Sequence, residues 1–318
     1  MGLTSQVHGV LNIGKPTGMT SHDVVDAVRK ILGVRRVGHT GTLDPQATGV
    51  LPVCVGRATR IAQFLTQADK EYVMTLRLGM TTDTLDAAGK ETSRVQEIRV
   101  GREDVEAILP RFVGEIQQVP PIYSAKKYHG ERLYRLARRG QSVERRPVAI
   151  RVHALEMLEF APPFVRLRAV CSKGTYARSL CDDIGRALGC GGHLAALTRT
   201  RSGRFTLDSV LTLEGLEDRV REGRLGEVLM PIGEALAHLP AVRVATEAAP
   251  HILHGGPVAA AMVVQYPPDV ERGALVRVLG FRKQLLSLAE TTASTREWRA
   301  CPLSQVVLLP VRVFTSAA

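Results

Sequence analysis

The spacing of apolar residues switches repeatedly between strand and helix over residues 10–78, with glycine or proline at most switches. This rhythm limits the chain to layered sheet and helix. Val10-Leu11-Asn12-Ile13 is a short apolar run that stops at Gly14, Pro16 and Gly18, a strand entering a turn. Thr20, three residues before Asp23, reads as a helix cap with an acid in the first turn. Val24, Val25, Val28, Ile31 and Leu32 follow at helical spacing, and Gly33 supplies the stop. A glycine- and threonine-rich loop at 35–49 leads to a second apolar strand, Val50 to Val55. A helix carrying Ile61, Phe64 and Leu65 and a half-buried strand from Tyr72 to Leu78 come next. Further on, the pattern predicts a helix over 103–113 and strands at Ile116–Val119, 148–158 and 164–171. A helix from about Tyr176 to Leu188 and a strand near 193–199 complete the series. The fold class is therefore α/β or α+β, with a central mixed sheet.

At 318 residues the chain has room for about two domains. A boundary is expected at His238-Leu239-Pro240, giving units of 1–240 and 241–318. In the second, short strand signals at Val258–Val264, Ala274–Leu279, Leu285–Ala289 and Val306–Val313 describe a small β-rich body. The 45% hydrophobic content excludes a disordered chain. No stretch approaches the roughly 18 apolar residues of a membrane span. Met1 to Gln6 lacks the basic-then-apolar pattern of a secretory signal. Five cysteines without a C-x-x-C pair read as packed, reduced thiols of a cytoplasmic protein rather than a disulfide or zinc framework.

The net charge of +11 is unevenly spread. Within 126–147, Lys126, Lys127, Arg132, Arg135, Arg138, Arg139, Arg145 and Arg146 face only Glu131 and Glu144. Such a cluster is either a solvated face or a seat for a polyanion, and its setting among aromatics and glycines favours nucleic acid. A helical piece is expected here, with Leu133, Leu136 and Ala137 on one face and the arginines around the other.

The loop Gly38-His39-Thr40-Gly41-Thr42-Leu43-Asp44-Pro45 lacks the G-x-x-x-x-G-K-[ST] pattern of a phosphate cradle. Its glycines allow close approach of a bulky ligand, and Pro45 biases Asp44 toward an extended backbone that would fix its aim. An ordinary Asp-Pro turn between strands accounts for the same residues. Tyr72 reads equally as a plain strand aromatic, Lys173-Gly174-Thr175-Tyr176-Ala177-Arg178 as a strand-to-helix turn, and Leu197 as core.

Five segments in order nevertheless carry a resemblance. They are Leu11 to Ser21, Gly38 to Pro45, Lys70-Glu71-Tyr72, Pro120 to Tyr134 and Cys171 to Leu180. Together they resemble the bacterial TruB family of tRNA pseudouridine synthases, most strongly over residues 9–205. The resemblance implies a pseudouridine synthase fold followed by a small PUA-like RNA-binding domain at 241–318. It also implies isomerisation of uridine 55 in the tRNA T loop after the base is flipped out. The C1′–N1 bond breaks and a C1′–C5 bond forms, without metal, nucleotide or redox cofactor.

By the same resemblance Asp44 is the catalytic carboxylate and Tyr72 stacks on the target uracil. Arg178 pairs with Asp44 and keeps it ionised, Tyr176 lines the pocket, and Leu197 is its apolar wall. His39 fills space left by flipped bases, while Lys15 and Pro16 support the active-site loop. Segment 124–146 is an RNA clamp in which Lys126, Lys127, Arg132, Arg135, Arg138 and Arg139 meet phosphates. The implied partner is the T arm of tRNA, met by a cytoplasmic chain with no membrane attachment and no obligatory protein partner, a monomer by default. Two alternatives remain open at this stage: a non-catalytic RNA-binding or tRNA-folding protein, and a guide-RNA-dependent pseudouridine synthase.

Overall fold

The computed structural model describes residues 7–122, 127–128, 131–132, 139 and 145–314, with the 127–128 and 131–132 pairs given by backbone alone. Strand β1 (Gly9–Lys15) leads to helix α1 (Ser21–Leu32), then β2 (Val37–His39), β3 (Thr48–Val55), α2 (Ala62–Thr66) and β4 (Lys70–Leu78). A hairpin of β5 (Met80–Thr82) and β6 (Glu91–Arg94) precedes α3 (Arg102–Ile108) and β7 (Gly114–Gln118). A two-residue hairpin pairs β8 (Lys127–Tyr128) with β9 (Glu131–Arg132). Then come β10 (Val148–Ala161), β11 (Phe164–Cys171), α4 (Ala177–Ala187), β12 (Gly192–Ser202), β13 (Phe205–Thr206) and α5 (Leu213–Arg221).

The signals read for α1 are its actual boundaries. Thr20 and Asp23 form a reciprocal capping box, and Gly33 closes the helix in the left-handed region at φ 64°. A cap of this kind stabilises a helix by about 1 kcal/mol. Val24, Val25, Val28 and Leu32 are buried against β1 and β3, with Leu216 of α5 completing that layer. The opposite layer packs α3 and α4 on the long strands β4, β10 and β11, around Met74, Leu76, Leu167, Leu180 and Ile184.

The nine-stranded sheet runs β1-β3-β12-β4-β11-β10-β7, with β2 joined to β3 and β13 to β12. Every pairing is antiparallel except β3 with β12, so the sheet is mixed. One relationship decides where the site forms. Along one edge β3 pairs continuously with β1, from Gly49 to Val55. Its other edge is divided: β12 holds Thr48 and Gly49, whereas β2 holds Val53 to Val55. Carbonyls left between these partners take donors from elsewhere, Thr40 N–H on Pro52 at 3.1 Å and the Arg199 Nε on Val50 at 2.7 Å. The loop that contains Asp44 therefore begins where the sheet splits. Gly49 permits the close strand approach; a Cβ there would lie 2.3 Å from the Arg199 carbonyl oxygen.

Beyond Pro240 a six-stranded sheet begins, ordered β15-β19-β18-β17-β14-β16. Its strands are β14 (Ala241–Val244), β15 (Val258–Ala259), β16 (Val263–Gln265), β17 (Leu275–Leu279), β18 (Leu285–Thr291) and β19 (Val306–Val313). Val258–Val264, read above as one strand, is two, separated by a 3-10 turn at Ala260–Met262. Ala260 and Ala261 N–H groups bond to the carbonyls of Gln305 and Leu303, and these bonds pull the chain out of the ladder. The two sheets share core: Leu288 and Phe314 pack with Val10, Val50 and Cys54. Arg277 stitches the seam by donating to the carbonyls of Leu239 and Gly233 at 3.0 and 3.1 Å. The helical piece expected around 133–138 lies outside the described residues.

Candidate active site

The Asp44 loop is held from beneath by Lys15, a buried ammonium group. Its Nζ donates to the carbonyls of Pro16, Met19 and Pro45 at 2.8, 2.6 and 3.0 Å. Gly18 N–H also reaches the Pro45 carbonyl, and Leu43 exchanges two bonds with the Ser21 hydroxyl at the start of α1. Lys15 thus bridges the turn after β1 and the Asp44 loop, with the Pro16 carbonyl as one of its three acceptors. Burial pushes the Lys15 ammonium down to about 8, although the Asp44 charge pulls the other way.

Asp44 emerges from this platform with its side chain 40% exposed and meets Arg178, which is 7% exposed. The contact is two-toothed, Nε to Oδ2 at 2.9 Å and Nη2 to Oδ1 at 3.1 Å. A planar guanidinium matches both carboxylate oxygens in this way, which fixes the plane of the acid as well as its place. Arg178 sits in the first turn of α4, two residues after the N-cap Tyr176.

A second carboxylate completes the arrangement. Arg178 Nη1 lies 3.3 Å from Asp86 Oδ2 and donates to the Thr84 carbonyl at 3.3 Å. Asp86 is aimed by the Thr84 hydroxyl at 2.6 Å and the Ala88 N–H at 3.1 Å. The turn that carries it lies on β12 through Ala87 N–H to Leu194 and Leu194 N–H to Leu85. Leu85 has φ 62°, a conformation uncommon in a non-glycine residue and held here by those bonds. The resemblance implied an Asp44 whose carboxyl Arg178 pulls down; Arg178 does pull in that direction, but the net shift is upward. Desolvation raises it, Asp86 adds to the rise, and Arg178 and Lys15 only partly oppose.

Tyr72 and Arg199 are register partners across β4 and β12. Arg199 is 1% exposed; its Nη2 donates to the Gly41 carbonyl at 3.2 Å and its side chain hydrogen-bonds the Tyr72 phenol. One buried guanidinium thus ties the Asp44 loop, β3 and the tyrosine together. Burial raises the half-buried Tyr72 phenol above its ordinary value, and Arg199 partly offsets this. Leu197, two residues earlier on β12, packs against the same core as Tyr72 and is half-buried. Tyr176 is also half-buried, at the N-cap of α4. His39 ends β2 at the loop entrance, its Nδ1 accepting the Gly41 N–H at 3.2 Å.

Asp44, Arg178, Lys15 and Pro16 thus form one bonded unit, and Tyr72 joins it through Arg199. Of the basic residues expected to meet RNA, Lys126, Arg135 and Arg138 lie outside the described residues, and Lys127 and Arg132 are described by backbone only. Arg139 is exposed. Sequence reasoning missed Asp86 and Arg199. Arg199 lies two residues from Leu197 on the same strand, but Arg201 and the threonines around it gave no sign of which arginine is buried. For Asp86 the Thr82-Asp83-Thr84-Leu85-Asp86 turn offered polarity but no direction.

The same elements recur in known proteins. The model of the TruB family pseudouridylate synthase N-terminal domain matches residues 29–177, and that of the tRNA pseudouridylate synthase B C-terminal domain matches residues 178–237. The chain is 43% identical over 293 residues to a tRNA pseudouridine synthase B of Pseudomonas paraeruginosa, covering 91% of this chain and 94% of that one. It is 49% identical over 254 residues to the protein of the same name from Symbiobacterium thermophilum, covering 79% of this chain and 83% of that one. Among solved structures, an H/ACA RNP bound to a substrate RNA containing 2′-deoxyuridine superimposes with a TM-score of 0.79 at 30% identity, covering 97% of this chain and 85% of that one. A Cbf5-Nop10-Gar1 complex gives 0.79 at 32% identity, covering 96% and 85%. The chain belongs to the TruB family of pseudouridylate synthases.

Proposed function

We propose that this protein converts uridine 55 of the tRNA T loop to pseudouridine, with Asp44 as the catalytic carboxylate. The observation that carries the reading is the partly exposed Asp44 carboxylate, locked in plane by a buried Arg178. The base must leave the RNA stack to reach it, at a cost of a few kcal/mol. Stacking on Tyr72, worth about 1–3 kcal/mol, offsets part of that cost. His39 takes space vacated by displaced bases, and Tyr176 and Leu197 wall the uracil.

In the reaction the C1′–N1 bond breaks, the uracil turns, and C5 bonds to C1′. The proton on C5 is lost and N1 gains one, so the product is an isomer and no co-reactant is consumed. An ionised Asp44 serves attack at C1′, attack on the base or removal of a 2′ proton, and Arg178 holds the carboxylate ready for each. The basic segment 124–146 grips RNA phosphates, and shape together with the splayed loop selects the T arm. The unit 1–240 is the catalytic domain, and 241–318 is a PUA-like RNA-binding domain placed toward the acceptor end.

We further take the chain to act alone in the cytoplasm, as a monomer. Among the described residues no helix is long and apolar enough to cross a membrane. The test is direct. The purified chain, with no other component, should release tritium from C5-labelled uridine in a T-arm transcript. Binding without release would favour an RNA-binding protein; release only with an added guide RNA would favour a guided enzyme.

A further inference from the structure

Gln118, the last residue of β7, is 0% exposed, and its amide is engaged in both directions by one residue. Oε1 accepts the Tyr176 N–H at 2.8 Å, and Nε2 donates to the Tyr176 carbonyl at 3.1 Å. That carbonyl also accepts the Leu180 N–H, the bond that opens α4. Tyr176 offers no side-chain cap to the helix, so Gln118 does the anchoring from another strand. The next two residues repeat the theme: the Ser179 hydroxyl donates to the Val119 carbonyl at 2.9 Å, and Arg145 donates to the Pro120 carbonyl at 3.1 Å.

These bonds join three stretches of chain. Residues 118–120 lead into the basic segment, Arg145 marks its return, and Tyr176 to Ser179 bracket Arg178. A primary amide carries the acceptor and the donor on separate atoms, so it can take the N–H and bond the C=O of one residue at once, which leucine cannot do and an ionised carboxylate can do only by half. A buried amide left half-satisfied would be costly.

We propose that Gln118 is a positioning residue that fixes the first turn of α4, and with it Arg178 and Asp44, to the root of the basic segment. RNA gripped by that segment is thereby presented in register to the carboxylate. The inference rests on the RNA-isomerase reading above. Gln118 itself touches neither the carboxylate nor the base.

The experiment compares wild type, Gln118→Leu and Gln118→Glu on a C5-tritiated T-arm transcript. It reads the Kd, the single-turnover release rate and the urea unfolding curve. Ångström-scale misplacement of reacting groups costs up to about 100-fold, so Gln118→Leu should lose about 10- to 100-fold in rate while its Kd stays within about 3-fold. Gln118→Glu keeps the acceptor when ionised and regains the donor when protonated. Its rate relative to wild type should therefore climb as pH falls, whereas the Gln118→Leu ratio stays flat.

A wild-type rate in Gln118→Leu, a loss confined to Kd, or parallel pH behaviour of the two variants would overturn the proposal. If Gln118→Leu does not fold, the rise of the Gln118→Glu ratio toward low pH still supports it and a flat ratio still sinks it. Absence of release by the wild type would instead overturn the isomerase reading, so the two failures are distinguishable.

Discussion

Asp44 and Arg178 stand 134 residues apart in the chain and meet through two parallel bonds, at 2.9 and 3.1 Å. The arginine faces Asp86 with a nitrogen that does not touch Asp44, at 3.3 Å. The centre is therefore a cation between two acids, with Asp44 the more exposed of the pair, at 40% against 22%. On the proposed reading, Asp44 is the group that meets substrate and Asp86 the group that tunes it.

The first expectation concerns pH. Asp44 must be ionised to act, and its carboxyl lies above its ordinary 3.8 because of desolvation first and Asp86 further down. A raised carboxyl pKa means activity disappears as pH falls through a value higher than that of a free aspartate. The acid limb of kcat/KM should accordingly lie above pH 3.8, measured by tritium release across a buffer series in which the enzyme stays folded.

Replacing Asp86 with Asn removes a like charge from the vicinity of Asp44. The acid limb should then move to lower pH, the direction opposite to simple damage. The rate at neutral pH should also fall, because the Nη1 of Arg178 loses its ionic partner and keeps only the Thr84 carbonyl. A limb that stays in place or moves up would remove Asp86 from the electrostatics of the site.

Arg199→Met leaves the Val50 and Gly41 carbonyls without the guanidinium that bonds them. An unsatisfied buried polar group costs about 1–3 kcal/mol. The variant should lose at least that much stability in urea unfolding, and Tyr72→Phe, which deletes one hydroxyl, should lose less. Equal losses would show that the guanidinium contributes nothing beyond its bond to the phenol.

Neutralising Arg135, Arg138 and Arg139 together should weaken RNA binding and flatten its salt dependence. Each lost phosphate contact reduces the slope of log K against log salt by about 0.7–0.9. Filter binding at several salt concentrations gives the slope directly. An unchanged slope would place the RNA backbone elsewhere.

What the sequence disclosed depended on the range of the interactions involved. Helix α1 was legible residue by residue because Thr20, Asp23 and Gly33 act within a few positions of one another. Strand β4 was legible from alternation, which reports burial on one face. Val258–Val264 was misread as a single strand because the bonds that divide it come from Leu303 and Gln305, more than 40 residues on. The pairing of Asp44 with Arg178 reached the page through family resemblance rather than periodicity. Asp86 stayed hidden because its aim depends on a turn laid across Leu194, and Gln118 because a glutamine ending a strand looks solvent-bound until α4 covers it. The +11 charge pointed toward nucleic acid from the start, but the geometry that would act on that nucleic acid came from long-range contacts.

The most direct measurement is single-turnover release of C5 tritium from a T-arm transcript by wild type and Asp44→Asn, with Kd determined on the same RNA. Asn keeps the size of the side chain and removes the charge. The expected result is release by wild type, none above background by Asp44→Asn, and Kd values within about 3-fold, a difference under roughly 1 kcal/mol. Release by Asp44→Asn at a rate near that of wild type would contradict the role given to this carboxylate.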